Sequence, residues 1–136
     1  ARVEDFDALI VPGGFGAAKN LCDFAVKGAD LIVQKDFLAF AQAMHAAKKP
    51  IGLLCIAPTM AAAICGKEVK ATIGNDQEIA AAINAMGALH CVCGVEETCV
   101  DREKKLVTTP AYMLGQTIAD VSVGINKLVQ EVLALA

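Results

Sequence analysis

The sequence predicts a mainly parallel α/β domain, and three observations carry that expectation. Short apolar runs alternate with helical patterns of about ten to twenty residues, the arrangement that builds βαβ units. The runs are blocks of Ala, Val, Ile and Leu, as strands buried on both faces require. The chain has 136 residues, which fits one domain over 1–136 and leaves no room for a second.

The first strand is Ala8–Val11, and it runs into the glycine turn Pro12-Gly13-Gly14. A helix is expected over Ala17–Ala25, while residues 28–33 carry no decisive pattern. Phe37, Phe40, Ala41 and Met44 recur at i, i+3, i+4 and i+7, one face of an amphipathic helix. Lys48 and Lys49 suit its C-terminal end, and Pro50 stops it. Ile51–Cys55 is the next strand. It turns at Ile56-Ala57 into a short helix, with Pro58 in its first turn and Gly66 after its last. Val69–Ile73 reads as a strand. Asn75 with Glu78 three residues on forms an asparagine version of the capping box. The helix it opens puts Ile79, Ala82, Ile83 and Met86 on one face and ends at Gly87. His90–Val95 and Glu97–Val100 read as strands, Asp101–Lys104 as a polar turn and Lys105–Thr109 as the strand after it. A last helix sets Ile118, Val121, Ile125, Leu128, Val129 and Val132 on one stripe.

Composition sets several function classes aside. The chain is 56% hydrophobic with a mean hydropathy of +0.52. Its longest apolar run, Ile51 to Ile64, is interrupted by Pro58 and Thr59 and falls short of the roughly 20 residues a spanning helix needs. Membrane insertion is therefore not expected. The net charge is -3 with scattered Lys and Arg, and the six aromatic residues include no Trp, so nucleic acid is not an expected partner. Cysteines stand at 22, 55, 65, 91, 93 and 99 with no CxxC pair, several in apolar stretches where free Cys behaves as a small hydrophobe. A domain of this size needs no disulfide staples, so a reducing compartment is expected, cytoplasm or an organelle matrix. The chain opens at Ala1 without initiator methionine, signal peptide or transit sequence, and reads as a piece of a longer protein.

Ligands of parallel sheets bind just beyond the carboxyl ends of the strands. Three ends merit inspection: Pro12-Gly13-Gly14, Cys55 and Thr108-Thr109-Pro110. Cys55 is the last residue of a buried strand, just before a helix, where a thiolate is favoured over a thiol. Backbone N–H groups at such an elbow can stabilise an oxyanion. The Ile56 amide is the natural first donor, and Gly13 or Gly14 offers a second, since glycine lets the backbone approach a ligand closely. Spacing alone leaves a second reading open, in which Cys55 is one more core cysteine.

Three segments carry a further signal: VPGGFGAAKNL (11–21), KPIGLLCIAPTMAA (49–62) and KLVTTPAYML (105–114). They resemble the signature stretches of the ES1/ElbB family in the DJ-1/PfpI, or class I glutamine amidotransferase-like, superfamily. The likeness runs from Asp7 to the C-terminus. The resemblance implies a flavodoxin-like three-layer sandwich, usually a homodimer, with Cys55 as catalytic residue and Gly14 and Ile56 in the oxyanion-forming positions. It also implies a glyoxalase-like activity, independent of glutathione or any cofactor, that converts glyoxal-type 2-oxoaldehydes to hydroxy acids. Ile56 stands where peptidase and amidase relatives carry His, which argues against peptidase or glutaminase chemistry. The superfamily's acidic partner of the cysteine belongs to a first strand–helix unit that would precede Ala1. A sheet lacking that unit would expose an edge, and another segment or chain is expected to cover it. By the same resemblance the compartment is cytoplasm for a bacterial protein and the mitochondrial matrix for a eukaryotic one. The competing expectation is a non-catalytic redox-sensing or accessory subunit of a larger assembly.

Other candidates carry less. On a strand, Cys91 and Cys93 would face one side and His90 the other, which suits packing better than a metal site. His45 is expected as a solvated residue near a helix C-terminus. Gly13-Gly14-Phe15-Gly16 lacks the spacing of a phosphate loop. Phe15, Lys19, Asn20, Thr109 and Pro110 are candidates for pocket lining, although Lys19 and Asn20 read equally as a helix start and the threonines as turn caps.

Overall fold

The four residues of the second strand, Ile51–Leu54 (β2), are all buried, and they show how the layers form. Ile51 and Leu53 join the hydrophobic cluster on one face of the sheet, whereas Leu54 joins the cluster on the other. This is the alternation a strand between two layers must have. The computed structural model describes residues 2–136. Its other strands are β1 (Leu9–Val11), β3 (Lys70–Gly74), β4 (Leu89–Val92), β5 (Cys99–Asp101) and β6 (Leu106–Thr109). The helices are α1 (Phe24–Lys27), α2 (Lys35–Ala46), α3 (Ala61–Cys65), α4 (Gln77–Ala85) and α5 (Ile118–Leu135).

Four strands make the main sheet in the order β1-β2-β6-β5, with β1, β2 and β6 parallel and β5 antiparallel to β6. β3 and β4 form a separate parallel pair. That pair docks through side chains: the Lys70 amide donates to the Asp101 carboxylate at 2.9 Å and the Thr72 amide to the Thr108 hydroxyl at 3.0 Å. α2, α3 and α4 supply Ala41, Met44, Ala61, Ile64 and Ile83 to one cluster, while α5 supplies Val121, Leu128 and Val132 to the other. α5 can lie this close because Gly52 has no side chain; a Cβ there would stand 2.8 Å from the Leu128 side chain. The architecture is a mixed α/β sandwich with a mainly parallel sheet. Among the described residues, no helix is long and apolar enough to cross a membrane.

Several expected boundaries move, each for a local reason. The helix expected over Ala17–Ala25 is broken. A π-turn covers Ala17–Leu21, and Cys22 then becomes extended to bridge Val33. The Leu21 carbonyl and Asp23 amide are bonded to Gln34 and Ile32, so helix resumes only at α1. The cap of α4 is Asp76, not Asn75: its carboxylate accepts from the Ile79 amide at 3.0 Å. The strands expected over His90–Val95 and Glu97–Val100 shrink because Gly94–Glu97 closes a turn, its Gly94 amide donating to the Glu97 carboxylate at 2.6 Å. The stripe on the last helix is buried at Val121, Leu128 and Val132, but Ile118 is 77% exposed.

Candidate active site

The register of the main sheet decides which strand ends meet. Val11 aligns with Leu53, and Leu54 aligns with Thr109, so the carboxyl ends of β1, β2 and β6 lie side by side. These are the three ends that the sequence singles out. Cys55 follows β2 directly, and its amide donates to the Thr109 carbonyl at 3.1 Å. The next turn, Ala57–Met60, is a 3₁₀ helix that leads into α3. The backbone must therefore reverse within one residue, and Cys55 does so at a φ of +60°. Only glycine reaches that region without a steric penalty, which for other residues is roughly 1–2 kcal/mol. A half-buried cysteine held there is the geometry of a nucleophile elbow.

Gly13 packs directly against this turn. A Cβ on it would lie 2.5 Å from the Leu54 carbonyl oxygen and 3.0 Å from the Cys55 Cβ, and its φ is +87°. No side chain fits, so β1 ends in glycine because the elbow occupies the space. The Gly14 carbonyl accepts from the Ala17 amide at 3.0 Å and so opens the π-turn. Among the described residues, the Gly14 and Ile56 amides donate to no protein group.

The remaining candidates separate. Phe15 is 74% exposed beyond Gly14. Lys19 and Asn20 are exposed and line a cleft of about 390 Å³ with Cys22, Asp23 and Ile32–Lys35. Thr109 and Pro110 lie beside the elbow but are buried. The Thr109 hydroxyl donates to the Glu97 carbonyl at 2.7 Å, which fixes the end of β6. Two residues not singled out from the sequence also shape this end. Ala111 takes a φ of +46°, and Tyr112 beside it is 58% exposed. Nothing in the residue type of Ala111 signals a left-handed backbone.

His45 and His90 lie away from the elbow. His45 is half-buried and lines a cleft of about 380 Å³ with Lys48 and Glu103–Lys105. Burial, aided by Lys104, lowers its pKa. The Nε2 of His90 accepts the Ile73 amide at 3.2 Å, and the Cys91 thiol donates to the Leu89 carbonyl at 3.9 Å.

No protein-family model matches the chain. It is 48% identical to the ES1 protein homolog, mitochondrial, of Rattus norvegicus, aligning 95% of this chain with 52% of that protein. It is 46% identical to the human glutamine amidotransferase-like class 1 domain-containing protein 3, mitochondrial, over 95% of this chain and 51% of that one. The crystal structure of an isoprenoid biosynthesis protein with an amidotransferase-like domain from Ehrlichia chaffeensis superposes with a TM-score of 0.89 at 31% identity, over 99% of this chain and 62% of that chain. The chain belongs to the ES1/ElbB family. It spans about half the length of the ES1 relatives it matches. Its architecture is the flavodoxin-like sandwich of the amidotransferase-like ES1/ElbB proteins.

Proposed function

We propose that Cys55 catalyses a glyoxalase-type conversion of small 2-oxoaldehydes, such as glyoxal or methylglyoxal, to hydroxy acids without glutathione or another cofactor. The observation that carries this reading is the left-handed Cys55, packed against Gly13 and followed by the undonated Ile56 amide, with the Gly14 amide also undonated. A thiol so placed adds to the aldehyde carbon, forming the S–C bond, and the thiol proton passes to the carbonyl oxygen. The hemithioacetal then loses the proton on that carbon and regains one on the neighbouring carbon. The product is a 2-hydroxy thioester, which water cleaves to the hydroxy acid and the free thiol. No net oxidation occurs, so no redox partner is required. The two amides favour this path because negative charge on the substrate oxygen grows at each step. A general acid/base must move the carbon-bound proton between the two carbons.

Amide hydrolysis is disfavoured despite the names of the relatives. The residue after the elbow is Ile56, which cannot take the proton of the thiol. The relatives named as mitochondrial support a mitochondrial compartment for a eukaryotic protein; the matrix and a homodimer are part of this proposal.

The test is turnover of methylglyoxal and glyoxal by the full-length protein beside Cys55→Ala. The expected result is hydroxy-acid formation that falls at least 100-fold in the variant, as for loss of a nucleophile. Equal rates for the two proteins would sink the reading. One observation favours the alternative, a non-catalytic redox-sensing or accessory subunit: among the described residues no carboxylate or imidazole is hydrogen-bonded to Cys55.

A further inference from the structure

The end of the main sheet opposite the elbow holds a second cleft. Its volume is about 380 Å³, and it is lined by His45, Ala46, Lys48, Glu103, Lys104 and Lys105. Two elements build it, the C-terminal end of α2 and the turn between β5 and β6. The Ile51 amide donates to the Lys105 carbonyl at 2.9 Å, which joins them at the amino ends of β2 and β6. The buried Asp101 carboxylate fixes the turn by accepting the Lys104 amide at 3.0 Å. Lys104, Lys105 and His45 are half-buried, and Lys48 is exposed.

The cleft gathers positive charge in an acidic chain. Acidic residues outnumber Lys and Arg by 15 to 12, yet three lysines line this cleft with one carboxylate, Glu103. Among the described residues, none of the three makes an ion pair. Lys105 donates to the Leu135 carbonyl at 3.3 Å, whereas the Lys48 and Lys104 side chains donate to no protein group. A basic residue after a helix ordinarily answers the free carbonyls of its last turn. Here the Met44 and His45 carbonyls already accept the Lys49 and Lys48 amides, at 3.0 and 2.9 Å. Two of the three lysines also come from the other element. Lys48 and Lys105 hold left-handed backbones, with φ of +59° and +53°, where glycine is the unstrained choice.

We propose that this cleft binds a small phosphorylated anion, one that carries at least two negative charges and no aromatic base. Lysine ammonium groups hold phosphate oxygens as compact point charges with several donors each. The volume falls at the small end of pockets that take organic ligands, roughly 300–1,000 Å³, so it has room for more than one inorganic ion. No Phe, Tyr or Trp lines it, and a nucleobase would have no ring to stack on. Cys55 follows the far end of β2, so occupancy here is independent of the chemistry proposed for the elbow. His45 reports on the site. Burial lowers its pKa and Lys104 lowers it further, an effect that an anion among the lysines opposes. The charged groups around it are Lys48, Glu103, Lys104 and Lys105 in the cleft, and Asp101 before the turn.

The experiment is a titration of the full-length protein with inorganic pyrophosphate at about 0.15 M ionic strength, read by calorimetry and by the His45 ring resonances. The expected result is saturable binding, with the His45 pKa rising as the cleft fills. Lys48→Gln and Lys104→Gln should each weaken binding about tenfold, as loss of one charged hydrogen bond does. Lys35→Gln removes the same charge at the other end of α2 and should change nothing, and neither should Cys55→Ala. ADP, which carries its diphosphate on a base, should bind no more tightly than pyrophosphate. Equal weakening by Lys35→Gln would overturn the proposal, because the anion would then answer net charge alone. So would binding that leaves His45 unmoved, a tenfold preference for ADP, or no saturable binding at millimolar pyrophosphate.

Discussion

Cys55 and Cys65 stand at the two ends of one connection, the first just after β2 and the second closing α3. The residue type is the same and the settings are opposite. Cys55 is half-buried on a left-handed backbone, at the meeting of three strand ends. Cys65 is 4% exposed inside the larger hydrophobic cluster. Desolvation pushes its thiol up to about 12, outweighing the nearby Lys104. Backbone geometry brings one sulfur to the surface of the site, and burial in a regular helix removes the other from chemistry. Position in the fold, rather than residue identity, distributes exposure here.

The largest expected effect measures that contrast directly. At pH 8 a thiol of pKa about 12 is thiolate roughly once in 10⁴ molecules, against about one in four for an ordinary cysteine. Cys65 should therefore react with iodoacetamide about 10³-fold more slowly than an unhindered thiol, before any steric protection is counted. Timed alkylation with peptide mapping reads both sites in one sample. Labelling of Cys65 within tenfold of Cys55 in the folded protein would break the comparison.

A smaller effect sharpens the backbone half of the contrast. If the left-handed φ of Cys55 is strained, glycine at that position should be better tolerated than alanine, because only alanine retains the Cβ clash. Cys55→Gly should exceed Cys55→Ala in unfolding free energy by about 1 kcal/mol, with both inactive. Urea titration of the two variants is sufficient. Alanine equal to or better than glycine would mean that the elbow carries no strain. At Cys65, in helical backbone, the order should reverse, since alanine is the better helix former by about 1 kcal/mol.

The same contrast explains what could be read from the sequence. β2, its glycine-led neighbour and Thr109 were legible because apolar runs followed by Gly-Gly, Cys and Thr-Pro mark strand ends, and parallel topology puts such ends together. The broken helix near Cys22 was not legible. Its cause is a bridge to Val33 eleven residues away, and local propensity contains no term for that pairing. The cap at Asp76 was missed because Asn75 and Asp76 are both good caps, and only the phase of the helix chooses between them. The left-handed Ala111 arises from tertiary packing and leaves no mark in spacing or composition.

The smallest effect extends the comparison from thiols to imidazoles. Burial disfavours whichever form is charged, so it raises the pKa of Cys65 and lowers that of His90 below 6.5. His90 also accepts the Ile73 amide at Nε2, a role open only to the neutral ring. Just below pH 6.5 the unfolded chain therefore binds more protons than the folded one, and stability falls as pH falls through that region toward the lower, folded-state value. His45, lowered chiefly by burial, acts in the same direction. Asp23, whose carboxyl is held low by the Ile32 amide, acts in a separate window below about pH 3.8. Urea midpoints at pH 7.5 and pH 5.0 should accordingly decline for the native sequence, and decline less for His90→Gln. A decline of equal size in His90→Gln would show that the imidazole gains its proton without loss of the β3 contact. Burial would then govern the thiols of this protein but not its histidines.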